Sequence, residues 1–480
     1  MAGKEDVRPF INPSSVAVIG ASQRPGSWGS FIMEGLLSMG FPGRIYPVNK
    51  HQETVYGIEA AGDVRDIPGD VDLAVLAIPA ELIEDVIKAC GEKGVRGLTI
   101  ITAGFGEAVE GGREREKRLA SIARSYGMRI LGPNVSGTFN LNARFNAAAS
   151  PKDHLLATPL VAICQGGYAF YDLLASGFSR GMGVSRFVHT GNECDLTITD
   201  FLDYFGEDPE AKGILMYVET IRDGRRFMEV ARRVAAKKPV VMYKAGRTTG
   251  SRRAAMSHTG ALSGSMEIYS GMLCQVGIIV SPSMELLLPL GHALIERPSM
   301  KGRRVGIVTM GGSWGVALTD ALEETDLAVP EFSPGLQSRL RSLGMPVRAS
   351  TKNPVDIGAS GLFFSVDLLL ELGREILRSS EVDALILHGL GRPGMLDDNA
   401  SDEIRLFLEV EKQSMQGFNT LEKEFNVPVF IGSHFSPWES QAIHDLTMEG
   451  IRVYNRLDEI AYLFAFMHQY YLIKSRGNSG

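Results

Sequence analysis

Residues 254–265 read Ala-Ala-Met-Ser-His-Thr-Gly-Ala-Leu-Ser-Gly-Ser, and His258 stands among them with small, turn-forming neighbours on both sides. An imidazole on so uncluttered a loop is free to act as nucleophile or proton carrier near neutral pH. A solvated surface histidine would look the same in isolation. The rest of the chain supplies the contrast, because apolar strands run straight into glycine turns. Gln165-Gly166-Gly167 follows Leu160-Val161-Ala162-Ile163 and opens an apolar helix, Tyr168 to Ala175. That order aims helix-start N–H groups at an anion, and phosphate is the natural occupant. Another helix start, Ser263-Gly264-Ser265 before Met266 to Leu273, comes directly after the histidine. Two such N-termini converging on one imidazole would stabilise a phosphorylated histidine.

A further glycine turn, Gly20-Ala21-Ser22-Gln23-Arg24-Pro25-Gly26-Ser27-Trp28-Gly29, lies between the strand Val16 to Ile19 and the helical pattern Ser30 to Met39. Glycines there allow a tight turn and close approach of backbone to a phosphate, or they only pack strand on helix. The spacing differs from the dinucleotide fingerprint, since the second glycine comes six residues after the first. The next strand ends in Asn49-Lys50, not in the acid that would hold a ribose diol, which disfavours an NAD-dependent dehydrogenase. Lys50 suits a phosphorylated ribose. The later strand ends Ile78-Pro79-Ala80, Thr102 to Glu107 and Gly132-Pro133-Asn134 are expected along the same carboxyl edge.

These residues need a scaffold of alternating strands and helices. Apolar runs at 44–48, 73–78, 98–101 and 129–131 continue the first series. A second series holds 160–163, 214–218 and 239–243, and a third holds 304–308, 383–387 and 427–431. Strands interleaved with helix-length segments imply βαβ units and parallel sheets. The three openings lie roughly 145 residues apart, too far for a solenoid repeat, and imply three α/β modules. Joints are expected at Ser150 to His154 and at Glu296 to Gly302. Within the third module, Thr309-Met310-Gly311-Gly312-Ser313-Trp314-Gly315 opens a helix over Val316 to Glu323, and Asn353-Pro354-Val355-Asp356 lies downstream.

Composition sets the outer limits. A chain of 480 residues exceeds one ordinary core, and 44% hydrophobic content supports several. The net charge of −7 lacks the positive footprint of nucleic-acid binding. The four cysteines, at 90, 164, 194 and 274, are far apart and suggest neither a metal knuckle nor a disulfide framework. No signal peptide or bilayer-length apolar stretch is present, so a cytoplasmic protein without membrane contact is expected.

Taken together, these segments closely resemble the nucleoside-diphosphate-forming acyl-CoA synthetases, the superfamily that includes succinyl-CoA synthetase. The resemblance spans about residues 10 to 470. It implies three Rossmann/flavodoxin-like modules: a CoA-binding domain over 1–150, a ligase domain with a phosphohistidine loop over 151–300, and a second ligase domain over 301–480. It further implies that Gly20, Ala21, Ser22, Arg24, Gly26, Lys50, Ile78, Pro79, Thr102 and Asn134 contact coenzyme A. Ser257 to Ala261 matches the loop whose histidine is phosphorylated, here His258. Glu219, in Tyr217-Val218-Glu219-Thr220, matches the glutamate that orients that histidine. Gln165, Gly166, Gly167, Gly260 and Ala261 would hold phosphate or acyl phosphate, and no metal ligands are expected in this chain.

One departure stands out. Members of the family usually carry Ser-Gln-Ser-Gly at the phosphate turn, whereas this chain has Cys164-Gln165-Gly166-Gly167 and lacks both hydroxyls. Cys164 reads as a small buried residue, not a nucleophile. No ATP-grasp module and no Gly-x-x-x-x-Gly-Lys-Ser/Thr loop is found. The resemblance therefore implies the α subunit of an ADP-forming, acetate–CoA ligase type enzyme, partnered in an α2β2 assembly by an ATP-grasp β subunit that holds Mg2+ and ATP or ADP. The implied reaction converts acyl-CoA, ADP and phosphate into a small carboxylic acid, CoA and ATP, through acyl phosphate and phospho-His258. The rival reading, prompted by the altered turn, is a coenzyme A or acyl-CoA binding sensor that has lost turnover.

Overall fold

The structure is a computed structural model that describes residues 3–108, 111–150, 152–251, 266–345, 349–358, 365–396 and 400–477. It is an α/β architecture with mostly parallel sheets. The chain divides into two units, one of residues 1–178 with 182–291 and the other of residues 179–181 with 292–480.

In unit 1, β1 (Ser15–Ile19), β2 (Arg44–Val48), β5 (Leu73–Leu76), β6 (Gly97–Ile100) and β7 (Arg129–Leu131) form a parallel sheet in the order β2-β1-β5-β6-β7. Between β2 and β5 lies a small antiparallel pair, β3 (Thr54–Val55) with β4 (Ile58–Glu59). All five residues of β1 are buried, as a strand covered on both faces requires. The strand order reverses at β1, and the Gly20 turn sits at the carboxyl end of that strand. Gly20 has φ +87°, and a Cβ on it would lie 2.4 Å from the carbonyl oxygen of Ala77. The helix Trp28–Ser38 then starts with Ser27 as its cap, accepting a hydrogen bond from the Ser30 N–H at 3.2 Å.

The second sheet of unit 1 is built from β8 (Gly137–Asn140), β9 (Phe145–Ala148), β10 (Leu160–Cys164), β11 (Arg186–His189), β12 (Gly213–Val218), β13 (Val240–Lys244) and β14 (Ile279–Val280). Its order is β14-β13-β12-β10-β11-β8-β9, and the order reverses at β10. The hairpin β8–β9 pairs antiparallel and was not anticipated from sequence. Both of its strands are buried throughout, so the polar alternation that announces a hairpin is absent. The helix Gly224–Lys237, capped by Asp223, buries Phe227, Val230, Ala231 and Val234 at helical spacing.

Unit 2 holds one parallel sheet of β15 (Val305–Thr309), β16 (Val355–Asp356), β17 (Ala384–His388), β18 (Val429–Gly432) and β19 (Val453–Tyr454), in the order β16-β15-β17-β18-β19. Its helix after β15 spans Gly312–Glu323, so the glycine turn enters the first helical turn, earlier than the expected start at Val316. Among the described residues, no helix is long and apolar enough to cross a membrane. Nor is there a group of three His, Cys, Asp or Glu side chains fit to hold a metal ion.

Candidate functional site

A cavity of about 460 Å3 opens where the carboxyl ends of the two sheets of unit 1 meet. Ile78, Pro79, Thr102 and Asn134 line it from the first sheet, and Gln165, Gly166 and Gly167 from the second. Two groups of residues singled out separately in the sequence thus share one space. Thr102 is fixed by a 2.6 Å hydrogen bond from its hydroxyl to the Ile78 carbonyl, and Asn134 by one from its N–H to the Thr102 carbonyl at 3.0 Å. The lining is mainly apolar, with Trp28, Ile101 and Val135 prominent, and carries a few convergent polar groups.

The remaining first-module candidates stand apart from this cavity. Gly20 and Ala21 shape the turn, and the Ala21 carbonyl accepts from the Asn49 amide at 2.8 Å. Ser22 accepts from the Arg24 N–H at 3.0 Å. Arg24, Gly26 and Lys50 are exposed along the same edge. A Cβ on Gly29 would lie 2.0 Å from the Gly20 carbonyl oxygen, so the loop closes on itself only because that residue is glycine.

The turn after β10 has no room for side chains. A Cβ on Gly167 would meet His189 Nδ1 at 2.3 Å and Ser136 Oγ at 2.5 Å. A Cβ on Gly166 would meet the Tyr217 ring at 2.8 Å and Glu219 Oε1 at 3.2 Å. The Tyr217 contact bears on one half of the departure seen in the sequence: its ring occupies the space into which a serine at 166 would project. Glu219 is buried beside the turn, with Oε1 3.5 Å from the Tyr217 hydroxyl. Burial pushes the Cys164 thiol well above its ordinary range, as befits an inert core residue.

Gln165 spends its side chain on the backbone. Its Oε1 accepts from the N–H groups of Glu219 at 2.6 Å and Thr220 at 2.8 Å, and its Nε2 donates to the Thr220 carbonyl at 2.8 Å. Its own N–H donates to the Tyr217 carbonyl at 3.0 Å. Gln165 therefore sets the position of Glu219, and the bare backbone facing the cavity belongs to Gly166 and Gly167. His258, Gly260 and Ala261 lie outside the described residues.

Sequence reasoning passed over several residues of this site. His189 is buried with Nδ1 accepting from the Ser136 N–H at 2.7 Å, which leaves Nε2–H to donate to the Gln165 carbonyl at 2.7 Å. Asn192 lines the cavity and donates through Nδ2 to Glu116 at 2.7 Å and to Glu107. Burial opposes ionisation of Glu107, but the Gly104 N–H and the Asn192 amide hold its carboxyl below the usual range. Glu193 is fully buried; desolvation raises it to about 7 against hydrogen bonds from Thr190, Gln165 and the Ile198 N–H and the nearby charge of Arg222. The signal for this group was the strand Arg186–His189 running into Thr190-Gly191-Asn192, the same strand-then-glycine pattern in a run too short to stand out.

With this geometry in view, two family models match the chain: a CoA binding domain over residues 14–139 and a succinyl-CoA ligase like flavodoxin domain over 158–294. The α subunit of acetate–CoA ligase [ADP-forming] II from Pyrococcus furiosus is 40% identical over 354 residues, covering 73% of this chain and 76% of that one. The α subunit of the I enzyme from the same organism is 42% identical over 356 residues, covering 72% and 76%. Among solved structures, an acetyl-coenzyme A synthetase 1 of Ca. Korarchaeum cryptofilum in complex with phosphate and ADP superposes with a TM-score of 0.83, at 32% identity over 98% of both chains.

Proposed function

The chain belongs to the family of ADP-forming acetate–CoA ligase α subunits, acid–thiol ligases, and on that premise we propose how its residues divide the work. The observation that carries the reading is the shared cavity, which places the strand ends of a CoA-binding domain against a glycine turn bare enough to hold phosphate. Coenzyme A lies along the carboxyl edge of the first sheet. Gly20, Ala21, Ser22, Arg24, Gly26 and Lys50 face its phosphates, and Ile78, Pro79, Thr102 and Asn134 take the thiol-bearing arm into the cavity.

Phosphate on the Gly166 and Gly167 N–H groups attacks the thioester carbonyl; the C–S bond breaks, the thiol of coenzyme A leaves, and acyl phosphate remains. His258 then attacks phosphorus, the carboxylate departs, and phospho-His258 is formed, with Gly260 and Ala261 beside it. Glu219 holds the reacting tautomer of the imidazole and offsets its positive charge. The phosphoryl group finally passes to ADP, and in reverse ATP drives acyl-CoA synthesis. ADP and Mg2+ belong in this reading to a β subunit of the ATP-grasp type in an α2β2 assembly.

The domain division 1–150, 151–300 and 301–480 is part of the same proposal, supported by one main sheet for each span, with the β8–β9 hairpin lent by the first to the second. A cytoplasmic location fits four cysteines that form no disulfide.

The test is phosphorylation of the chain mixed with its β subunit, Mg2+ and γ-labelled ATP, comparing wild type with His258→Ala. An acid-labile, base-stable label that is lost in the variant is the expected result. Tight coenzyme A binding without any label, in the presence of an active partner, would overturn the reading in favour of a binding protein with a disabled phosphate turn.

A further inference from the structure

The carboxyl end of β13 carries a lysine where an apolar residue would be cheaper. Lys244 is 1% exposed, and burying an ammonium is costly unless every donor is used. Here they are used: Nζ donates to the Glu219 carbonyl at 2.7 Å and to the Ala245 carbonyl at 2.6 Å, and lies 4.5 Å from the centroid of the Tyr269 ring. Glu219 comes from the end of β12, paired with β13 through Val218 opposite Lys244, and Tyr269 from the helix Met266–Gln275.

The same stretch of β12 is gripped from its other side. Gln165 takes the Glu219 N–H and both backbone groups of Thr220, so with Lys244 all four polar backbone groups of Glu219-Thr220 are bonded to side chains. A strand end held at every backbone group presents its carboxylate in one place. Desolvation lowers the Lys244 ammonium to about 8, against the pull of the nearby Glu219 carboxylate, so the cation persists at neutral pH.

We propose that Lys244 is a positioning residue for phosphoryl transfer: its ammonium fixes the Glu219 peptide opposite Gln165 and keeps a positive charge beside the Glu219 carboxylate. The arrangement ties Ala245, the first residue beyond β13, to the same point. This rests on the reading of Glu219 as the partner of His258, and the experiment separates the two.

Complexes of the chain with its β subunit are compared for the initial rate of labelling by γ-labelled ATP and for coenzyme A affinity. Lys244→Met is expected to slow labelling by about 100-fold, the scale of a misplaced catalytic group, with coenzyme A affinity within about twofold of wild type. Lys244→Arg is expected to recover at least about tenfold of that loss, since it restores a cation with several donors. Should Lys244→Met fail to fold, Lys244→Gln, neutral but still a donor, decides in its place. A neutral variant labelled within about threefold of wild type overturns the proposal, as does a matching loss of coenzyme A affinity, which marks a structural role only. Glu219→Gln runs alongside. If it is slow while the neutral Lys244 variants are normal, the lysine idea fails alone; if it is labelled normally, the assignment of Glu219 itself fails.

Discussion

The turn Gln165-Gly166-Gly167 in unit 1 and the turn Met310-Gly311-Gly312 in unit 2 occupy equivalent places in their own sheets. Each follows the strand at which the strand order reverses, β10 in one case and β15 in the other, and each leads into a helix. Their surroundings differ. Around the first, His189, Gln165, Glu219 and Lys244 project from strand ends as a polar, hydrogen-bonded set. Around the second, Trp314 lies 4.8 Å from the His434 ring and 5.5 Å from the His388 ring. Buried His388 has an Nδ1 with no hydrogen-bond partner among the described residues. The same local backbone logic is thus set in two different surroundings, hydrogen-bonded polar side chains beside the turn of unit 1 and packed tryptophan and histidine rings beside the turn of unit 2.

The sharpest way to break this comparison is to fill each turn. Gly167→Val would drive side-chain atoms into His189 and Ser136, costing about 1–3 kcal/mol by overpacking and lowering the phosphorylation rate by at least about 100-fold. Labelling kinetics and a melting curve check both. A variant that labels normally would mean that the turn is not the cradle.

A second contrast concerns pH. Desolvation raises Glu193 from 4.5 to about 7, so the folded chain binds its proton more tightly than the unfolded chain does. Its contribution is fully present below about pH 4.5 and is lost as pH rises through about 7. Glu193→Gln should thus gain on wild type by up to about 3 kcal/mol between pH 4.5 and 8. His388 runs the other way: desolvation, helped by His434, lowers it from 6.5 to about 4. Its contribution is present above about pH 6.5 and is lost as pH falls through about 4. His388→Phe, which keeps a ring beside Trp314, should gain up to about 3 kcal/mol on acidification over that window. Denaturation midpoints across pH read both slopes, and slopes of the same sign would remove the contrast.

The smallest effect belongs to Gly311→Ala. Gly311 has φ −156°, and the nearest atom to an added Cβ is Trp314 Cδ1 at 3.4 Å, so stability should change by less than about 1 kcal/mol. A large loss there would show that the second turn is as tightly filled as the first.

Much of this arrangement was legible beforehand because it is local. A run such as Val16 to Ile19 ending in glycine specifies strand, turn and helix within a few residues; the turns at 20 and 166 fall where expected, and the one at 311 gives way to its helix at Gly312, four residues early. Glu219 stands at the end of a strand, as expected, and an added Cβ on Gly166 would lie 3.2 Å from its Oε1, a proximity that the sequence did not announce. What escaped depends on partners distant in the chain. His189 acquires meaning only from Ser136 and Gln165, and Lys244 only from Glu219 and Tyr269. Gln165 looked like a phosphate ligand because sequence exposes its polarity but not that Glu219 and Thr220 consume it.

The β8–β9 hairpin carries a consequence for how such a protein can be rebuilt. Its strands extend the second sheet, yet the helix Trp28–Ser38 of the first lies on β9, where a Cβ on Gly35 would be 2.6 Å from the Asn146 carbonyl. A chimera joined at the polar stretch near residue 150 would import a foreign edge strand into the host's second sheet and strip the native one away. Exchange of the CoA-binding domain among homologues is expected to succeed only if the crossover precedes Gly137, so that the hairpin is inherited with the sheet it completes, and if residue 35 stays glycine.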